Sequence, residues 1–118
     1  MTRFAIPILS DKGMASEINE HFGMSEYFLV LEADGDRITS TSTLRDDPSA
    51  EGHKPPAHFL ADHGVQIVLA GDMGPHMIQI LLDRGVRIFK GAVGTAEDAW
   101  EDYKAGMLTE TRTAGDME

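Results

Sequence analysis

The segment Val65–His76, with the sequence VQIVLAGDMGPH, decides the fold. Its first six residues form a short apolar run rich in β-branched side chains, which predicts a buried strand that ends at Gly71. Pro75 and the apolar residues after it predict the start of a helix. A strand that passes through a glycine turn into a helix leaves backbone N–H groups unpaired, and the helix dipole adds to their attraction for anions. The loop over 71–74 is therefore the first candidate for a binding site.

The rest of the chain predicts a hairpin followed by two strand–helix units. The expected strands lie near 3–9, 26–32, 36–43, 65–70 and 86–89, and the expected helices lie near 55–63, 75–84 and 95–106. Gly64 and Gly85 are expected to end the first two helices. This order predicts an α/β fold with a mixed sheet and helices on its faces. Because residues 109–118 are polar and aperiodic, we expect one domain over 1–108 and a disordered tail over 109–118.

Composition and charge exclude several classes of function. The 118 residues include 20 acidic against 10 basic residues, for a formal net charge of −10, which argues against nucleic acid as a partner. Cysteine is absent, so thiolate zinc sites and cysteine-ligated iron–sulfur clusters are excluded. Any metal must be held by histidine, carboxylate, methionine sulfur or backbone. The first apolar run, over 4–9, is too short for a signal peptide or a membrane span, so we expect a cytoplasmic protein with no membrane partner.

Three histidines, His21, His53 and His76, fall in predicted loops or at a helix start. Loops at strand ends are where α/β sheets place ligands, so these side chains are candidates for one shared metal site. Separate surface histidines are the alternative, because spacing along the chain does not fix positions in space. His58 and His63 are five residues apart on the first predicted helix. They do not share a face, and we expect both to face solvent.

Methionines and acidic residues each have a chemical and a structural interpretation. Met73 and Met77 could offer thioether sulfur to copper(I), although methionine near a helix start more often fills a core. Asp46 and Asp47 belong to an acidic loop, and Asp11 follows the first strand, so a divalent-metal site is conceivable there. A solvated acidic surface is the favoured interpretation. The motifs of serine hydrolases, phosphate-binding loops and zinc proteases are absent, which argues against an enzyme.

Four groups of short motifs follow one another along the chain. They are Ala5-Ile6-Pro7; Glu20-His21-Phe22-Gly23 ahead of Tyr27-Phe28; Gly52-His53 ahead of Leu60-Ala61 and Gly64-Val65; and Ala70-Gly71-x-Met73-Gly74 followed by Gly85-Val86 and Lys90-Gly91. In this order they resemble the dinitrogenase iron–molybdenum cofactor biosynthesis domain, also called the nitrogenase accessory factor family. The resemblance runs from about residue 3 to residue 108. His-Phe-Gly alone is weakly specific, whereas the ordered set is specific.

The resemblance implies a three-layer α/β/α, ribonuclease-H-like fold with a five-stranded mixed sheet. It also implies non-catalytic binding or delivery of a metal–sulfur cluster containing iron and molybdenum, with a cluster donor or acceptor protein as the partner. The expected cluster contacts are Gly71, Asp72, Met73 and Gly74, and the expected metal ligands are His21, His53 and His76. A polyanionic cluster suits backbone N–H groups beside a histidine and needs no protein thiolate.

The chain departs from the family pattern at Asp72, where a second glycine is common. A carboxylate that points inward would repel an anion about 4 Å away by about 4 kcal/mol at an effective dielectric of about 20. The net charge of −10 acts in the same direction. Three alternatives for the ligand therefore stay open: the chain binds a cation, it binds a different cluster, or it has lost binding. So do a metal-free interaction or regulatory module of the same fold and a metal-dependent phosphoryl-transfer or nuclease-type enzyme, which the fold alone suggests.

Overall fold

A six-stranded mixed sheet forms the centre of the computed structural model, which describes residues 1–113. The strands are β1 (Thr2–Ile8), β2 (Tyr27–Asp34), β3 (Arg37–Arg45), β4 (Ile67–Ala70), β5 (Arg87–Lys90) and β6 (Thr109–Thr111). The helices are α1 (Pro56–Asp62), α2 (Pro75–Asp83) and α3 (Ala96–Lys104), and two short 3-10 turns span Gly13–Ala15 and Phe22–Met24. The strand order across the sheet is β3-β2-β1-β4-β5-β6.

The three central strands, β1, β4 and β5, run parallel. β2 pairs antiparallel with β1, β6 pairs antiparallel with β5, and β3 pairs antiparallel with β2 at the edge of the sheet. The hairpin β2–β3 and the two strand–helix units β4–α2 and β5–α3 confirm the predicted mixed α/β fold. Gly64 and Gly85 follow α1 and α2 with φ angles of 77° and 78°, so a left-handed glycine ends each helix as expected. The parallel centre places the carboxyl ends of β1, β4 and β5 at one edge of the sheet.

The predicted count of five strands is wrong, because β6 adds a sixth. Thr109–Thr111 was expected to begin a disordered tail, but it pairs antiparallel with β5. Main-chain pairing along an otherwise open strand edge needs no apolar periodicity, and Thr111 becomes buried in the process. Glu110 strengthens the pairing through two hydrogen bonds from Arg87, both 3.0 Å long. The last five residues of the predicted tail, 114–118, lie outside the described residues.

Two clusters of buried side chains pack on the sheet because neighbouring strand residues point to opposite faces. On β1, Ala5 belongs to the cluster that includes residues of α1 and α2, whereas Phe4 and Ile6 belong to the cluster of α3. Phe4 meets the ring of Trp100, on α3, edge-to-face with 5.1 Å between centroids. The helices therefore cover both faces of the sheet and leave its carboxyl edge to the loops. None of the three helices within residues 1–113 is long and apolar enough to cross a membrane.

Candidate functional site

The loop over 71–74 lies at the carboxyl edge of the parallel strands, between β4 and α2. Two hydrogen bonds tie it to the segment after β5, because the N–H of Gly91 donates to the carbonyl of Gly71 and the N–H of Ala92 donates to that of Ala70, each at 3.1 Å. The loop is therefore held firmly beside the end of β5. We use the name carboxyl-edge surface for residues 19–21, the loop 71–74, His76 and Lys90.

Gly71 packs closely against the segment that follows β5. A Cβ atom at this position would lie 3.1 Å from the carbonyl oxygen of Ala92, tighter than an ordinary contact, and 3.9 Å from the Cα of Glu20. Because Glu20 immediately precedes His21, the same contact places the His21 segment directly against the glycine loop. Glycine at residue 71 thus accommodates the Ala92 carbonyl, and the Glu20 backbone lies at ordinary contact distance beside it.

Asp72 turns its carboxylate back onto the loop. Its Oδ1 accepts a hydrogen bond from the N–H of Met73 at 2.8 Å and lies 3.6 Å from the Nζ of Lys90. The side chain of Asp72 is 80 % exposed, whereas that of Lys90 is only 19 % exposed. Asp72 Oδ1 therefore lies between a backbone donor, the N–H of Met73, and the ammonium group of the largely buried Lys90 side chain.

The helix that follows adds a further positive field. Gly74 is the N-cap of α2 and Pro75 is its first residue, and no side chain caps the helix there. The first-turn N–H groups, including that of the exposed His76, therefore keep their partial positive charge towards the loop. The dipole of α2 and the Lys90 cation act on the same small surface.

His21 is exposed and stands immediately before the 3-10 turn Phe22–Met24. Its backbone N–H donates to Asn19 Oδ1 at 2.9 Å, which fixes the main chain at this point. The residue lines a cleft of about 450 Å³, and the other lining residues are Leu9, Glu17, Ile18, Asn19, Glu20, Gly94 and Thr95. This cleft opens between the end of β1 and the start of α3, next to the glycine loop.

The 3-10 turn after His21 also touches the start of α2. A Cβ atom on Gly23 would lie 3.9 Å from the methyl carbon of Met77, the residue after His76. The turn after His21 therefore lies close to the start of α2, while the convergence of His21 and His76 on a single cluster stays a prediction. Within residues 1–113, no group of three histidine, aspartate or glutamate side chains is arranged to hold one metal ion.

The methionines next to His76 belong to the interior. Met73 is buried and Met77 packs, half-buried, against the same cluster, which joins the sheet to α1 and α2. Their thioethers fill the core, as the structural interpretation expected. Met73 therefore reaches the carboxyl-edge surface through its main chain, and the N–H of that main chain is already bonded to Asp72.

His53 is engaged elsewhere. Its Nδ1 lies 3.0 Å from Oδ1 of Asp46, and the residue lines a cleft of about 310 Å³ together with Phe59 of α1 and His63, which follows the helix. His53 also lines a smaller cleft of about 140 Å³ beside Gly23. His53 thus shares this smaller cleft with the 3-10 turn that follows His21. Its imidazole is already paired with Asp46.

The expectation that the acidic loop is solvated is wrong for Asp46. The side chain of Asp46 is 4 % exposed, because its N–H donates to the carbonyl of Glu26 at 2.7 Å and continues the β2–β3 ladder by one residue. Strand alternation then turns the side chain inward. Burial raises the pKa of the Asp46 carboxyl, and the neighbouring His53 acts in the opposite direction. Its Oδ2 is buried and has no hydrogen-bond partner among the described residues.

Sequence reasoning gave Lys90 no role and did not foresee the burial of Asp46. Lys90 was part of a motif but was given no role, although its place at the end of a strand parallel to β4 was a usable signal. The burial of Asp46 depends on one extra ladder hydrogen bond, which no pattern in the sequence reveals. Asp11, considered for a divalent-metal site, is exposed, and its Oδ1 accepts a hydrogen bond from Thr43 at 2.6 Å.

The comparison with protein families decides the relationship. Residues 2–106 match the model of the family described as dinitrogenase iron-molybdenum cofactor. The chain belongs to this family. The resemblance drawn from the four ordered motifs is thereby confirmed. A comparison with curated proteins gives no match.

Solved structures of the same fold include close matches over nearly the whole chain. The crystal structure of PH0822 is 27 % identical, with a TM-score of 0.78, and the match covers 96 % of this chain and 99 % of that chain. A Thermotoga protein assigned to NifB and to the DUF35 family is 25 % identical, with a TM-score of 0.77 and 96 % of both chains covered. The apo form of the orange protein from Desulfovibrio gigas shares the fold at 21 % identity, with a TM-score of 0.78 and coverage of 96 % and 95 %.

Proposed function

We propose that this protein binds and passes on a metal–sulfur cluster of the iron–molybdenum type, or a related one, without catalysing a reaction. Family membership supports the class of ligand. The arrangement of Asp72 carries the proposal within this chain, because a carboxylate oxygen already sits on the Met73 N–H beside Lys90. The carboxyl-edge surface therefore has the donors that an anionic cluster needs.

The largely buried Lys90 provides the strongest attraction in this proposal. A cation that is mostly removed from water is screened less by salt than one on an open surface. The N-terminus of α2 adds a partial positive charge next to it. Sulfide edges of a cluster would accept from the loop N–H groups, while the imidazoles of His21 and His76 would supply nitrogen ligands to exposed metal atoms.

Asp72 acts as an internal competitor in the proposed carrier. A cluster has to displace the Asp72 carboxylate from the Met73 N–H before it can use that donor. This competition lowers affinity, which suits a protein that must release its cargo to an acceptor. His53 is left out of the proposed ligand set, because it lines a cleft separate from the carboxyl-edge surface.

The metal-free interaction or regulatory module remains the second candidate function, and the position of Asp72 is the observation that favours it. In that case the carboxylate fills the anion position permanently and no ligand replaces it. We also propose that the helices on both sheet faces form the three-layer, ribonuclease-H-like arrangement that the resemblance implies; the two separate core clusters support this layering.

Metal analysis after anaerobic loading separates the two candidates. The protein would be incubated anaerobically with tetrathiomolybdate and ferrous iron, desalted and assayed for bound metal and for absorption in the visible range. The carrier proposal predicts bound molybdenum that is reduced in Lys90→Gln and unchanged in Lys104→Gln, a matched change on α3. Absence of bound molybdenum in both the parent protein and Asp72→Gly would refute cluster binding and favour the metal-free module.

A further inference from the structure

Two imidazoles line the cleft of about 310 Å³ between the loop over 46–54 and α1, away from the carboxyl-edge surface. His53 belongs to the loop, and His63 is the residue that caps the C-terminal end of α1. The aromatic ring of Phe59 packs against His63 in a tilted arrangement, with 4.4 Å between centroids and 48° between the ring planes. The cleft thus brings a loop histidine and a helix-end histidine to one place.

Each of these imidazoles has its Nδ1 atom engaged by an acceptor of the protein. Nδ1 of His53 lies 3.0 Å from the Asp46 carboxylate, and Nδ1 of His63 lies 2.8 Å from the carbonyl oxygen of Phe59. A carbonyl or a carboxylate only accepts, so Nδ1 is the donor nitrogen of each ring, and the neutral imidazole then offers the lone pair of Nε2. Histidines that bind metals in proteins have this outer hydrogen bond almost without exception, because it fixes the tautomer and the ring orientation.

Asp46 gives an independent sign that a positive charge belongs here. Its carboxylate is almost fully buried, and its Oδ2 finds no partner within the described part of the chain. A buried carboxylate with an unsatisfied oxygen is costly unless a cation lies nearby. A dication on Nε2 of His53 would make the Nδ1–H a stronger donor to Asp46 and would offset the buried negative charge.

We propose that Nε2 of His53 and Nε2 of His63 together bind a divalent transition-metal ion that prefers imidazole, such as Zn²⁺. Asp46 and the Phe59 carbonyl orient the two rings from behind. Because no group of three metal-binding side chains is formed within residues 1–113, water completes the coordination and the site is open and exchangeable. The ion would fasten the loop over 46–54 to the end of α1.

His58 supplies a matched control on the same helix. Its Nδ1 lies 3.4 Å from a guanidinium nitrogen of Arg84, so its surroundings are already cationic. A second positive ion is disfavoured beside that guanidinium. Replacing His58 therefore changes the number of histidines while keeping both proposed ligands and their outer partners.

The test is a Zn²⁺ titration of the whole chain, followed by calorimetry and by NMR of the histidine ring protons. One Zn²⁺ should bind and shift the ring signals of His53 and His63 first. His53→Gln and His63→Gln should each weaken binding at least tenfold, whereas His58→Gln should leave it unchanged. Asp46→Asn, which keeps both imidazoles, should weaken binding by about 10- to 100-fold, as loss of an outer partner does elsewhere.

The proposal is overturned if Zn²⁺ binds equally well to His53→Gln and His63→Gln, or if no Zn²⁺ binds to the parent protein. It is also overturned if the ring signals of His21 and His76 shift first. Amide spectra of each variant establish that the fold is kept, and the two histidine variants decide the matter even if Asp46→Asn does not fold. Because the titration uses Zn²⁺ alone, its outcome is independent of cluster binding at the carboxyl-edge surface.

Discussion

Replacing Asp72 tests whether its carboxylate competes with an anionic ligand. Two unit charges about 4 Å apart repel by about 1 kcal/mol in water and by about 4 kcal/mol at an effective dielectric of about 20. Because the Asp72 side chain is 80 % exposed, the lower part of this range applies, about 1 to 2 kcal/mol. Since 1.4 kcal/mol is a factor of ten, tetrathiomolybdate should bind roughly 5- to 30-fold more tightly to Asp72→Asn.

A second variant separates the effect of the Asp72 charge from the effect of its hydrogen bond with the Met73 N–H. Asp72→Asn removes the charge but keeps a side-chain oxygen able to accept from the Met73 N–H, whereas Asp72→Gly removes both. We therefore expect Asp72→Gly to bind at least as tightly as Asp72→Asn, and both to lose part of their advantage in high salt. Asp36→Asn, on the exposed β2–β3 turn, is the matched control and should not change affinity.

The assay is a calorimetric or absorbance titration of each variant with tetrathiomolybdate under anaerobic conditions. The reasoning is refuted if Asp72→Asn and Asp72→Gly bind with the affinity of the parent protein, or if Asp36→Asn gains as much as they do. In the first case the carboxylate does not compete with the ligand. In the second case, the gain reflects overall charge and not the loop.

The remaining predictions concern Lys90, the strand β6 and the stability of the fold at acid pH. Lys90→Gln should weaken tetrathiomolybdate binding about tenfold in the same titration, whereas Lys104→Gln should leave it within a factor of two. Glu110→Gln should speed hydrogen exchange of the β5 amides that pair with β6, and unchanged exchange would contradict a role for its ion pair. The pKa of Asp62 is lowered from its ordinary value of 3.8 to about 2, and the hydrogen bond from Lys54 is the largest cause. The ionised carboxylate therefore contributes its full stabilisation of the fold at pH values above 3.8. That contribution is lost as pH falls through about 2, and urea unfolding of Asp62→Asn should therefore show a smaller loss of stability between about pH 4 and pH 2; an equal loss would contradict it.

The central elements of the fold were predictable because their signals are local. Apolar β-branched runs ending at glycine mark β4 and β5, and helical periodicity with glycine stops marks α1 and α2. The start of the third helix was equally visible, since Thr95 and Asp98 form the capping box at the start of α3. In each case a few neighbouring residues contain the whole signal.

The features that the sequence did not predict depend on partners distant along the chain. Three residues of β6 carry no periodicity of their own, and only the open edge of β5 orders them. The burial of Asp46 follows from its ladder bond to Glu26, twenty positions earlier. The pairing of Lys90 with Asp72 likewise requires the parallel alignment of two strands. Spacing along the chain does not encode such contacts.

The candidate site was predictable in part. The motif at 70–74 located the glycine loop, and the topology of α/β sheets placed it at the carboxyl edge. The sequence could not predict whether the three histidines share one metal site, because each lies on a different loop or helix. The contacts through Gly71 and Gly23 connect the His21 segment to the glycine loop and to α2, whereas His53 is held by Asp46 in another cleft.

The most direct test of the account is an amide NMR titration of the parent protein with tetrathiomolybdate under anaerobic conditions. Binding at the carboxyl-edge surface predicts that the signals of Gly71 and Gly74 shift first, together with that of His21, while amides on the outer faces of α1 and α3 stay in place. His21→Ala and His76→Ala should then each weaken the binding. Shifts that begin at the helix faces or in the loop over 46–54, or no shift at all, would contradict the central claim.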